Sequence, residues 1–231
     1  MKKFGFTLIE LLVSMTILVV MTLIMIRVIS DSSRAVELGY QQAMMDGNAR
    51  AFLDTVLDDL NQAFAVDRMP MRVSNGAITP YNENHFRSHT LLFRALLGPD
   101  ENCNRTTKLV KYDVDMIDDY YVIRRGEKCG DLAGESIPNI YPLLDYVVQF
   151  KINLWGYDAA GNLDIQTNTE ELPEYAEIMI SLVSPEIHAR AMRMSAADRR
   201  SYLVRHGRRH YVQTTFPMAN ARFAEFDYFD N

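Results

Sequence analysis

FTLIELLVSMTILVVMTLIMI, residues 6–26, is an apolar run broken by a single charge, Glu10, and preceded by Met1-Lys2-Lys3-Phe4-Gly5. Its length is that of a membrane helix, since a bilayer core takes about 20 apolar residues. Lys2 and Lys3 lie before the run, so the positive-inside tendency places the N-terminus in the cytoplasm and everything after Arg27 outside. A secretory signal peptide would have a shorter apolar core, about 7–15 residues, followed by a small-x-small cleavage site. No such site follows Ile26. Glu10 is the anomaly, because an acidic side chain costs about 2.5–3.5 kcal/mol at the centre of a membrane helix and less near its edge. Such a group calls for a partner.

Beyond the run, no proline occurs before Pro70, and Leu53, Val56, Leu57, Leu60 and Phe64 keep helical spacing. Asp54, Asp58, Asp59 and Gln62 are assigned to the opposite face. The pattern predicts one helix from Phe6 to Ala65, roughly 90 Å long at 1.5 Å per residue. Residues 6–29 are expected to form the membrane half of the helix and 30–65 an amphipathic half packed on a head of residues 66–231. After Pro70 the period changes to two, most clearly at Val148, Phe150, Ile152 and Leu154. Strands are expected also at Thr90–Leu96, Val110–Val114, Tyr121–Ile123, Ile178–Leu182 and Val212–Phe216, with a turn at Asp158–Asn162. The expected class is α+β, a long N-terminal helix packed on an antiparallel sheet.

Gly5 followed by Phe6-Thr7-Leu8-Ile9-Glu10-Leu11-Leu12-Val13 resembles the prepilin peptidase site and the start of the type IV pilin family. The resemblance implies that residues 1–5 are a leader removed by cleavage between Gly5 and Phe6, that the new Phe6 amine is methylated, and that Glu10 becomes the fifth mature residue. There its carboxylate would meet the N-terminal amine of a neighbouring subunit, a pairing that low dielectric strengthens. The head resembles the J-type minor pseudopilins of type II secretion and the related W-type minor pilins. Three blocks carry this: the hairpin Leu109–Arg125, Pro142-Leu143-Leu144-Asp145-Tyr146-Val147 leading through Leu154, and Leu172-Pro173 before Ala176–Val183. A J-type subunit implies I- and K-type partners in a pseudopilus tip complex that contacts secreted cargo. K-type subunits lack the glutamate, so Glu10 argues against K. The expected role is a structural subunit in the bacterial inner membrane with a periplasmic head. Alternatives are a minor pilin serving adhesion, motility or DNA uptake, and a membrane-anchored binding module that never assembles.

The 231-residue chain is 48% hydrophobic and carries a net charge of −6, which gives no reason to expect nucleic acid as partner. No GxSxG elbow, P-loop or HExxH occurs, so no enzyme and no cofactor is expected. Residues 184–210 depart from the J pattern as a basic, partly helical insertion holding Arg190, Arg193, Arg199, Arg200, Arg205, Arg208 and Arg209 beside His188, His206 and His210. It reads as a dock for an acidic partner, as a contact for phosphate in a DNA-uptake pilus, or as a solvated helix face and loop. His206 and His210 have the i, i+4 spacing of a metal pair, without a third ligand. Asp113, Asp115, Asp118 and Asp119 invite a calcium reading but lack the loop pattern that specifies it. A hairpin centred near Met116 would pair Leu109 with Ile123 and set Cys103 opposite Cys129. A disulfide there would contribute about 3–4 kcal/mol by the loop-entropy model; two free thiols are the alternative.

Overall fold

Residues Leu8–Asn61 form α1, a helix of 54 residues. A computed structural model of the chain describes residues 7–64, 71–78, 87–96, 107–129, 137, 139–158, 160–169 and 172–216. The chain divides into two compact units, 1–44 and 45–231. In the first unit, residues 8–40 are exposed on every side, apolar positions included. Leu8 is 83% exposed and Met25 68%. By length and composition this helix can cross a membrane. The hydroxyls within the apolar run are satisfied locally, Ser14 Oγ donating to the Glu10 carbonyl at 2.7 Å and Thr22 Oγ1 to that of Leu18 at 2.8 Å. Such back-bonding keeps a polar side chain paired where no water is available.

In the second unit α1 buries Ala49, Phe52, Leu53, Val56, Asp59 and Leu60. These positions recur every three or four residues, one stripe of a 3.6-residue period. Asp59 therefore lies on the buried face, not on the polar face expected for it. The helix also ends at Asn61 rather than Ala65. Its continuation Ala63–Phe64 is β1, paired antiparallel with Ala95 and Arg94, and the Leu96 amide donates to the Gln62 carbonyl at 2.9 Å. Strand pairing takes the backbone groups that another helical turn would have used.

The rest of the unit follows in order: β2 (Met71–Ile78), β3 (Arg87–Leu96), β4 (Thr107–Ile117), β5 (Tyr120–Cys129), β6 (Asn139–Leu144), β7 (Val147–Tyr157), β8 (Leu163–Gln166), β9 (Asn168–Thr169), β10 (Tyr175–Leu182), α2 (Pro185–Met192), α3 (Ala196–His206) and β11 (Arg208–Thr215). The strands are antiparallel, as expected, and divide between two sheets. One runs β6-β5-β4-β3-β2-β9 with β1 also on β3, and the other runs β11-β10-β7-β8. The alternation read in β7 holds, since Val148, Phe150, Ile152 and Leu154 are all buried. Phe52 joins α1 to both sheets, its ring edge-on to Tyr112 of β4 (6.1 Å) and to Phe150 of β7 (5.9 Å). A second link is His89 of β3, whose Nδ1 lies 2.7 Å from the carbonyl oxygen and 3.1 Å from the nitrogen of Ile152. After β7, Asp158 accepts from the amides of Ala160 and Asn162, and Gly161 takes φ +82°.

The β4–β5 register differs from expectation. Leu109 faces Lys128, Ile123 faces Val114, and Cys129 faces Lys108. The turn is Asp118-Asp119, with Asp118 at φ 48°, a region aspartate tolerates better than most residues. The insertion between β10 and β11 is two capped helices. Ser184 Oγ accepts from the Ile187 amide and Ser195 Oγ from that of Asp198, each at 3.3 Å.

Candidate assembly site and its surroundings

Thr7 stands at the N-cap position of α1, with Glu10 three residues into the helix. Their side chains are reciprocally bonded. The Thr7 amide and hydroxyl both donate to Glu10 Oε2 at 3.0 Å, and the Glu10 amide donates to Thr7 Oγ1 at 3.4 Å. This is a capping box, which satisfies helix-start amides that would otherwise be orphaned. The Thr-x-x-Glu spacing ahead of an apolar run was the signal for it, and the reading of Glu10 as a lone membrane charge missed Thr7's part. The box holds the carboxylate at the helix start. Among the described residues Oε1 accepts no hydrogen bond, so one oxygen remains for a cation. Gly5 and Phe6 lie outside the described residues.

Within the second unit a buried ionic chain ties α1 to the first sheet, and it too was not foreseen. Asp59 accepts from the Tyr112 hydroxyl and from Arg125, Nε at 2.7 Å and Nη2 at 3.1 Å. Arg125 Nη1 reaches Glu127 at 2.7 Å, and Lys108 reaches the same carboxylate at 3.3 Å. Burial, reinforced by the Asp59 carboxylate, holds the Tyr112 phenol well above its usual range, so it stays a donor. Burial also acts against the Arg125 charge, but Asp59 and Glu127 outweigh it and raise its pKa further. Burial would raise the Glu127 carboxyl, yet Arg125 and Lys108 bring it below the usual carboxylate range. Charges alternate along the chain, so none is buried alone.

Asp113 and Asp115 of the acidic run are taken up by ion pairs, and Asp118 and Asp119 make the turn. Arg124 bonds Asp113 at 3.2 Å and Asp115 at 2.6 Å, and Lys111 lies 2.9 Å from Asp113. The two histidines of the metal spacing sit on different elements. His206 ends α3 beside Tyr202 (4.3 Å), while His210, on β11, lies 3.5 Å from Asp46. Among the described residues no group of three or more His, Cys, Asp or Glu is placed to hold a metal ion. Cys129 ends β5 opposite Lys108, so the register from which the bridge was argued is not the one present. Cys103 lies outside the described residues. Among those described, no cysteine is free.

Residues 1–26 match a family model described as the prokaryotic N-terminal methylation motif. No curated protein matches the chain.

Proposed function

We propose that this type IV pilin-like, membrane-anchored chain is a minor pseudopilin, a structural subunit of the type II secretion pseudopilus and of its tip complex. The observation that carries it is the pairing of an exposed apolar stretch, residues 8–29, with one acidic group in it, Glu10, held at the helix start with one oxygen unbonded among the described residues. An apolar surface of that extent needs lipid or other helices around it, and a carboxylate at its end needs a cation. In this reading the prepilin peptidase cuts between Gly5 and Phe6 and the Phe6 amine is methylated. That amine on one subunit then meets Glu10 of the next. The N-terminus faces the cytoplasm and residues 45–231 face the periplasm, beside I- and K-type partners and secreted cargo. The chain acts as a structural part, not as a catalyst. A Cys103–Cys129 bridge is supported by the absence of free cysteine among the described residues. In sequence, Cys103 stands four positions before Thr107, where β4 begins, and Cys129 is the last residue of β5.

Replacing Glu10 by alanine tests assembly: incorporation into filaments should fall sharply while membrane insertion and head folding persist. Normal incorporation would refute the role given to Glu10 and favour an anchored module. Deleting the gene tests the machine served. Secreted proteins retained in the envelope with pili intact support the pseudopilus, whereas lost pili with normal secretion assign the chain to a type IV pilus.

A further inference from the structure

The basic residues of the insertion do not share one fate. Arg199 folds back on α2, its guanidinium donating to the carbonyls of Ala191 (3.2 Å), Met192 (3.3 Å) and Met194 (3.3 Å). Arg208 is paired with Asp46. Arg205 and Arg209 make no hydrogen bond or ion pair among the described residues, and both are exposed. They lie in one cleft of about 490 Å³, within the ~300–1,000 Å³ of pockets that enclose small ligands.

Geometry explains the convergence. Arg200, Ser201, Val204 and Arg205 are an i, i+1, i+4, i+5 stripe on α3 and make one wall of the cleft. The other wall comes from Gln149 of β7 and Arg209 of β11, which flank Ser181 of β10 in one row across the second sheet. Gly207 brings α3 down onto that row: a Cβ there would stand 2.7 Å from Ser181 Oγ and 2.9 Å from the Leu203 carbonyl oxygen. Three guanidiniums thus line a cleft with no carboxylate among its lining residues. Lys151 adds a positive charge one row along the same face, and Glu177, a row further, is already engaged by Asn153 (3.1 Å) and the Tyr211 hydroxyl (2.9 Å). Guanidinium stays charged at any relevant pH, so Arg205 and Arg209, which line one cleft without an ion-pair partner among the described residues, repel each other until an anion enters it.

We propose that this cleft is a docking site for the carboxylates of an acidic protein segment. Arginine forks match carboxylates bidentately. Val204 and Ala197 add apolar contact suited to a peptide's alkyl stems. A long polyanion would instead meet the chain's net charge of −6 outside the cleft. The site is independent of which filament the chain joins.

The test is fluorescence anisotropy of a labelled hexaglutamate peptide against the full chain in non-ionic detergent at low salt. Wild type should bind, more weakly as salt is added. Arg205→Glu with Arg209→Glu should weaken binding at least about tenfold, the loss of roughly 1.4 kcal/mol spread over two partly exposed ion pairs. Arg190→Glu with Arg193→Glu, on exposed positions of the α2 end, makes the same net-charge change and should stay within about twofold. Arg205→Gln with Arg209→Gln should lose binding while melting as wild type does, which separates lost contact from lost fold. Equal loss in both glutamate pairs, no binding by wild type, or tighter binding of an oligothymidylate than of the peptide would each overturn the proposal.

Discussion

Two stretches of one helix behave oppositely. Residues 8–29 are almost wholly apolar and wholly exposed, whereas Ala49–Leu60 mix apolar and acidic residues and bury one stripe. The first stretch carries no amphipathic period, so nothing in its own chain covers it. The second has a period, and it buries along that period even an aspartate. Hydrophobicity alone therefore does not predict burial here; phase relative to the sheets does, and the uncovered apolar surface marks an environment outside the chain.

Truncations at matched apolar positions break or sharpen that contrast. Phe52→Ala removes the ring between Tyr112 and Phe150 and should cost about 4 kcal/mol. Leu18→Ala should leave chemical unfolding of the head unchanged, both read on the full chain in detergent. Equal effects would sink the contrast. Next in size is Asp59→Ala, which leaves the Tyr112 hydroxyl and the Nε and Nη2 of Arg125 without their partner, with Glu127 still on Nη1. A loss of about 3 kcal/mol is expected, against no more than about 0.5 kcal/mol for exposed Asp54→Ala. Gly207→Ala should cost about 2 kcal/mol, because the added methyl meets the Leu203 carbonyl, a backbone atom that cannot swing away.

The smallest effect is that of pH. Burial depresses the pKa of His89 below its ordinary 6.5, with Lys151 acting the same way and the Ile152 peptide opposing. Burial lowers His188 as well. A histidine with a lowered folded pKa contributes stability above pH 6.5 that is lost as pH falls through the folded value. Glu127, also depressed, adds a loss below about its ordinary 4.5. Unfolding midpoints should therefore decline from pH 7 towards acid, and His89→Gln should flatten the upper part of the decline. An unchanged slope would remove His89 from the account.

Local pattern was legible wherever one residue's neighbours in sequence decide its state. The alternation of Val148, Phe150, Ile152 and Leu154 announced β7, and Thr7-Leu8-Ile9-Glu10 held both Glu10 and its cap. The β4–β5 register was not legible, since Leu109 can face Ile123 or Lys128 with equally plausible strands. What selected Lys128 is the aspartate turn at 118–119 together with the Arg124 ion pairs. Nor was the Asp59 chain, whose partners Tyr112 and Arg125 lie 53 and 66 residues away.

By itself, then, the sequence determined a membrane-length apolar helix, its single carboxylate, the N-terminal processing motif and an α+β head, because these follow from composition and short-range period. Only the tertiary structure decided that the strands divide between two sheets, that Asp59 is buried, and that Arg205 and Arg209 meet across one cleft. Those outcomes rest on pairings between distant segments, whose free energy depends on shape and charge assembled in three dimensions and leaves no mark in any one stretch of chain.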